Sequence, residues 1–387
     1  YVGCIWWCNC GRYRNLCRMD CLGAGGIVAT EYKIRVYNAA GVQTAELNDF
    51  LSLSYTKEVN APGICELSVS GDHTMIAGLE QNSQVEVYRR NPTLGLVWTC
   101  DFYGLYRYYR YQYSDREVFT VRCPGQLSML GWRHVMWYAN VASRSKFTSA
   151  KAETIMKTLV DYNLSANATT ANGRVRAGNM TGITCAADGA AGNTLDWFCT
   201  WENLLTTLQK LAQVAGGDFN LVKTAAATWE FRWYLGQLGT DRSATVIFAL
   251  DRGNMAEPSY ALDLINEVTV AVVGGQGEES GRATATRTGS AYNVTTNNTE
   301  VFVDARNVNT AAGLNSAGDQ QLYNLTGRAD FRFKVLQTPA CFYGLHYFLG
   351  DKVTAAYKTA ATFKIKRVTV GVEASGAETV NIELVAA

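Results

Sequence analysis

The chain has 387 residues, 48% of them hydrophobic and only 18% charged, with 35 Lys plus Arg set against 34 Asp plus Glu for a formal net charge of +1. That length allows two or three domains around a sizeable core, and the balanced charge gives no bulk attraction to nucleic acid or an anionic membrane. No run of about 18 apolar residues is present, which excludes a membrane-spanning helix; the opening segment, with Arg12, Arg14 and Arg18 and no apolar core, does not read as a secretory signal.

Residues 1–28 form a Cys-rich segment and linker. Cys4, Cys8, Cys10, Cys17 and Cys21 are so closely spaced that their thiolates can reach one ion, and a segment this short has no core of its own. The spacing lacks the C-x2-C pair of a zinc site and departs from ferredoxin spacing. Zinc, an iron–sulfur cluster, disulfides and free thiols therefore all stay open, with Trp6 and Trp7 available to shield a soft site. The chain opens on Tyr1 rather than Met, which is read as a processed start or one that lies further upstream.

Residues 29–113 read as a first β-barrel-like module. Strands are expected at Tyr32 to Tyr37, Val42 to Leu47 and Leu51 to Val59. Next, Cys65, Leu67 and Val69 alternate with Glu66, Ser68 and Ser70, the period of a half-buried strand. A short helix near Met75 to Leu79 and strands at Gln84 to Arg89 and Leu94 to Tyr113 follow. The run DFYGLYRYYRYQY, Asp101 to Tyr113, interleaves Arg107 and Arg110 with tyrosines. Stacking plus cationic contact suits a single nucleic-acid strand, but aromatic strands also pack subunits together. The neutral net charge favours the second reading, with Tyr106, Tyr108 and Tyr109 as contact residues.

Residues 114–240 read as an α/β module. Ser149 is the expected N-cap of a helix whose apolar face is Ala152, Ile155, Met156, Leu159 and Val160. A second helix carries Leu204, Leu205, Leu208, Leu211, Ala212 and Ala215 and stops at Gly216-Gly217. A hairpin, Phe219 to Val222 and Thr228 to Tyr234, closes the unit. The Asn/Thr/Gly/Ala-rich loop 166–193 is expected to be exposed and mobile. Cys185 and Cys199 flank part of it and could pair in an oxidising compartment but not in a reducing one.

Residues 241–387 read as a second β module with one helix, about Ala311 to Leu325. Phe331 to Tyr357 is expected to run strand, Pro turn, strand, Gly-Asp turn, strand, because Phe331, Phe333 and Val335 alternate and Pro339 cannot donate to a ladder. Phe342, Tyr343, Tyr347 and Phe348 are its expected core or subunit-contact residues. The final hairpin turns at Ser375-Gly376. The fold class is α+β, mostly β, with two β-barrel-like modules flanking the α/β module.

Chemistry finds little purchase. Gly274-Gly-Gln-Gly277 follows a strand, but a phosphate loop needs a helix next, and Arg282 to Arg287 alternates like a strand. His73, His134 and His346 have no metal spacing, and no G-x-S-x-G elbow is present, so a nucleophile lacks its base. Glu278 and Glu279 would repel each other in a turn, and carboxylates elsewhere cannot be paired from sequence alone.

Several blocks occur together in order: Tyr32-Lys-Ile-Arg-Val-Tyr37, Leu47-Asn-Asp-Phe-Leu-Ser-Leu-Ser-Tyr55, Phe248-Ala-Leu-Asp-Arg-Gly-Asn254, Val272-Val-Gly-Gly-Gln-Gly-Glu278, Phe302-Val-Asp-Ala-Arg306 and Phe331 to Tyr357. In these blocks the chain resembles the hub proteins of long-tailed phages, in the actinophage-like tail protein family of siphoviruses. The resemblance implies a structural protein and no enzyme. It implies a homotrimer whose two β modules per chain make six barrel-like units, matching a six-fold tail tube to a three-fold tip and passing DNA through the lumen. The implied partners are the distal tail protein, the tape-measure protein and a central fibre or spike. The implied location is the tail tip of the virion, assembled in the host bacterial cytoplasm. A tail-associated cell-wall hydrolase is the alternative, although no segment resembles a lytic domain.

Overall fold

The computed structural model describes residues 29–136, 145–168, 178–306 and 308–386. The N-terminal cysteines lie outside them. Period-two alternation builds most of the structure. In the strand Ala61–Ser70, Cys65, Leu67 and Val69 point into the core while Ile64 faces out. In Gln84–Asn91 the inward set is Val85, Val87 and Arg89, so the same rule that buries two valines also buries a guanidinium.

Four antiparallel strands form one sheet in the order Gln43–Leu47, Glu31–Tyr37, Gln84–Asn91, Leu96–Leu105. A larger, eight-stranded sheet combines Ser52–Glu58, Ala61–Ser70, Tyr108–Tyr113 and Glu117–Pro124 with Ile247–Ala249, Lys352–Tyr357, Thr359–Glu373 and Glu378–Ala386. Its organiser is Thr359–Glu373. At a bulge between Ile365 and Arg367 this strand changes partner along one edge. Ile365 donates its amide to Asp351 O, whereas Lys366 O accepts from Val59 N. On the opposite edge Glu373 N donates to Ala377 O, in the ladder with Glu378–Ala386. One strand thus joins the two β stretches of the chain, and bulges are the usual device for such a corner.

This corrects the expectation of two separate barrel-like modules. Among the described residues the ladders do not close into a barrel. Residues from both stretches, Val36, Leu53, Cys65 and Phe119 with Phe248, Phe333, Val353 and Val370, pack into one core. Long-range pairing between Ser52–Glu58 and Thr359–Glu373 leaves no trace in local periodicity, so the sequence shows the strands but not which ones meet.

The middle of the chain keeps its own core. Helices Ala152–Asn163 and Leu204–Ala215 bury Ile155, Met156, Leu159, Leu208 and Leu211 against the hairpin Gly217–Ala225 and Thr228–Leu235. Ser149 does not cap the first helix. It belongs to the strand Ser145–Lys151, at φ 51°, and its amide donates to Asp196. Lys151 holds the N-cap position without a side-chain bond to the helix, and the first helical amides are taken by Asn193 O and Ala191 O. The second helix ends at Gly216 in the left-handed region, as expected, and is capped at its start by Asn203. Part of the loop 166–193 is a strand, Ile183–Cys185, parallel to Thr228–Leu235.

A small mixed sheet, Thr284–Thr288, Val270–Gly274 and Glu300–Asp304, is backed by the helix Ala311–Asn324. Its glycine-rich connection is a hairpin turn and not a phosphate loop. The segment after Arg328–Val335 departs from expectation: between that strand and Lys352–Tyr357 the chain is irregular and makes no middle strand. Some of its polar groups are satisfied locally, with Thr338 and Cys341 bonding each other and Phe342 N donating to His346 Nδ1.

Candidate assembly interface

Two aromatic groups singled out by the sequence end up in opposite environments. Phe342, Tyr343 and Tyr347 are fully buried, and only Phe348 reaches the surface, under the Arg242 guanidinium. They are core residues and not an exposed contact. A loop is buried here because it supplies one end of a polar network. Tyr343 OH donates to Asp101 Oδ1 at 2.9 Å, Tyr55 OH donates to Asp101 Oδ2 at 2.6 Å, and Lys57 Nζ donates to Asp101 Oδ1 at 2.7 Å. Beside it, Arg89 donates to Tyr343 O at 2.6 Å and to Glu378 at 2.5 Å, with Tyr32 OH on the same carboxylate.

The electrostatics follow from burial against pairing. Burial pushes the Asp101 carboxyl up, but the Lys57 and Arg89 charges and its hydrogen bonds outweigh it and hold the carboxyl below the usual range. Burial, reinforced by Asp101, pushes the Tyr55 and Tyr343 hydroxyls well above the phenol range, so both stay donors. Sequence reading missed Arg89, Asp101 and Glu378. The alternation Val85, Val87, Arg89 was the available signal for the first of them. This network holds the two β stretches together, and at its outer end Lys57 and Asp101, already paired with each other, line a small cavity of about 160 Å³.

The tyrosine strand is the opposite case. Tyr108–Tyr113 is a strand of its own, separated from Leu96–Leu105 by a break at residues 106 and 107, and every residue in it is exposed. It pairs only with Glu117–Pro124, so its other edge is open among the described residues. The register puts Tyr109 opposite buried Val121 and Tyr111 opposite buried Phe119. Directly opposed residues share a face; Tyr109, Tyr111 and Tyr113 therefore lie on the core-facing side of the sheet, yet they remain 46–76% exposed. Tyr109 and Tyr111 lean on Phe119 at 5.7 and 4.7 Å, and half-buried Tyr106 stacks on Tyr109 at 6.2 Å. The core face of the sheet runs on past the core.

On the outer side, Tyr108 lies under Arg122, which is itself paired with Glu66. Arg107 is drawn to Asn82 and the Trp132 ring. Arg110 on the strand and Arg116 in the turn after it are exposed and have no ion pair among the described residues. Two unengaged cations are little for a strand of phosphates, whereas an open edge with an uncovered aromatic face has the features of a surface that pairs with another chain.

Other chemistry is absent from the described residues in specific ways. No group of three or more His, Cys, Asp and Glu lies close enough to hold a metal. His73 pairs with exposed Asp49 at 3.1 Å and caps a short turn. The six described cysteines are free thiols, Cys185 and Cys199 included. An open groove of about 580 Å³ is lined by Lys33, Arg90 and Trp98 beside Glu31 and Glu46, but its cations are already paired with those acids. No helix among the described residues is long and apolar enough to cross a membrane.

The chain belongs to the family of Siphovirus ReqiPepy6 Gp37-like proteins, whose signature matches residues 33–384, and it is a phage tail protein. No curated protein matches it. Solved structures share its fold at low identity. The 43 kDa tail protein of prophage MuSo2 from Shewanella oneidensis is 12% identical with a TM-score of 0.60, over 92% of this chain and 98% of that one. The tail protein from Neisseria meningitidis MC58 is 10% identical with a TM-score of 0.56, over 92% and 97%. A chain of the Francisella PdpA-VgrG complex is 8% identical with a TM-score of 0.54, over 94% of this chain and 53% of that one.

Proposed function

We propose that the chain is a hub of the tail tip: a homotrimer that joins the six-fold tail tube to a three-fold tip and channels DNA. The observation that carries this reading is the strand Tyr108–Tyr113, whose open edge and uncovered core-side tyrosines belong to a sheet that one chain leaves unfinished. Burying such a face against another subunit removes it from water at about 25 cal/mol per Å², and an edge strand left bare invites uncontrolled pairing. Membership of a phage tail family supports the same reading. Its work is interface burial and not turnover. Its neighbours would be the distal tail protein above, the tape-measure protein in the lumen, and a central fibre or spike below. It would act in the virion after assembly in the host cytoplasm.

Native mass measurement of the purified chain tests the reading. A trimer is the expected species; a stable monomer at high concentration would contradict it. A cell-wall hydrolase is the competing class, and release of soluble fragments from peptidoglycan, abolished by one carboxylate substitution, would favour that instead. The N-terminal cysteines Cys4, Cys8, Cys10, Cys17 and Cys21 are proposed ligands for zinc or an iron–sulfur cluster, and analysis of the protein for zinc, iron and sulfide decides between these and a metal-free segment of disulfides or unligated thiols.

A further inference from the structure

The tyrosine strand has a counterpart elsewhere in the chain. Met255–Asp263 pairs only with Arg328–Val335, and its other edge is open among the described residues. It too runs past the core. Tyr260 sits opposite buried Phe331, with the rings 6.1 Å apart, so Tyr260 and Leu262 lie on the core-facing side. Both are exposed, and Ile265 just beyond the strand is 89% exposed. Two open edges therefore each present apolar side chains on the side where a core would continue.

Their charges are opposite. Met255–Asp263 carries Glu257 and Asp263 and no base, whereas Tyr108–Tyr113 carries Arg110, follows Arg107 and has no acid. Their places in the fold keep them apart within one chain. The tyrosine strand is reached from one edge of Thr359–Glu373, through Ser52–Glu58, Ala61–Ser70 and Glu117–Pro124. Arg328–Val335 packs beside Glu378–Ala386, which occupies the other edge. A surface and its complement at separate places on one chain make a head-to-tail contact, and such contacts close into rings when the rotation allows.

We infer that the strand Met255–Asp263 of one copy docks along the open edge of Tyr108–Tyr113 of the next, with Tyr260 and Leu262 meeting Tyr109 and Tyr111, and Arg110 facing the acids. This rests on the hub reading above and names the two surfaces that would join its subunits.

Charge exchange in the full chain tests it. Arg110→Glu and Asp263→Arg are compared singly and together by native mass spectrometry over a range of concentrations, with far-UV circular dichroism as the check on folding. Each single variant is expected to need about tenfold more protein to assemble, and the double variant to recover most of that loss. Tyr111→Ser and Leu262→Ser, which leave charge alone, are expected to weaken assembly to a similar extent. If the wild type assembles and the single variants assemble equally well, or the double variant fails to recover, this pairing is overturned while the hub reading stands. A wild type that stays monomeric overturns both.

Discussion

Arg89 and Glu378, 289 positions apart, form an ion pair at 2.5 Å with both side chains nearly sealed from water. The pair fastens a strand of the first β stretch to the strand Glu378–Ala386. Breaking it leaves one buried charge without its partner. Arg89→Ala is expected to destabilise the chain by about 3–5 kcal/mol, while Arg89→Met combined with Glu378→Leu should cost much less, since the uncompensated charge is what is expensive. Urea unfolding of the three proteins checks this, and equal losses for the single and double variants would refute it.

Asp101 gives the pH dependence. Its carboxyl is held below the usual range when folded, so its contribution is fully present above the unfolded pKa of about 3.9 and is lost as pH falls through the folded value. Asp101→Asn should therefore cost about 2–4 kcal/mol at pH 7, by leaving Lys57 and Arg89 short of an anion. The gap from wild type should narrow below about pH 4. Stability curves measured from pH 7 to pH 2.5 test the sign; a gap that widens on acidification would be the wrong one.

Two glycines at positive φ separate backbone strain from crowding. Gly63 sits at φ 64° beside a bulge, and a Cβ there would lie 2.0 Å from Thr56 O. Gly95 sits at φ 80° with nothing within 4 Å. Gly95→Ala should cost about 1 kcal/mol, the left-handed penalty alone, and Gly63→Ala clearly more, about 3 kcal/mol, because backbone must move. Thermal melts that give the two variants the same loss would contradict the close approach.

Asn60 is a joint between the α/β unit and the shared sheet. Its amide donates to Asp218 Oδ1 at 3.0 Å, and its side-chain oxygen accepts from Phe219 N at 2.8 Å. It also adopts φ 60°, which Asn tolerates better than most residues. Asn60→Ala is expected to cost about 2 kcal/mol. Limited proteolysis should then show earlier cleavage between the two units, whereas an unchanged digestion pattern would count against the joint.

Local periodicity made much of this fold legible. The inward sets Cys65, Leu67, Val69 and Ile155, Met156, Leu159 are where alternation and helical spacing put them, and Gly216 ends its helix as a left-handed cap should. Pairing was not legible, because Thr359–Glu373 meets Ser52–Glu58 across some three hundred residues and nothing local records it. The candidate interface divided the same way. Tyr108 and Tyr109 were recognised by composition and are exposed. Phe342, Tyr343 and Tyr347 look equally aromatic in sequence, but only the tertiary polar partners Asp101 and Arg89 explain why that loop is buried.

The central claim is that the open tyrosine edge is finished by another copy of the chain. A three-fold averaged electron-microscopy reconstruction of the intact tail tip tests it most directly. The account predicts three copies around the axis, with Tyr109 and Tyr111 buried between neighbouring subunits. Density showing Tyr108–Tyr113 facing solvent, or a single copy of the chain in the tip, would contradict it.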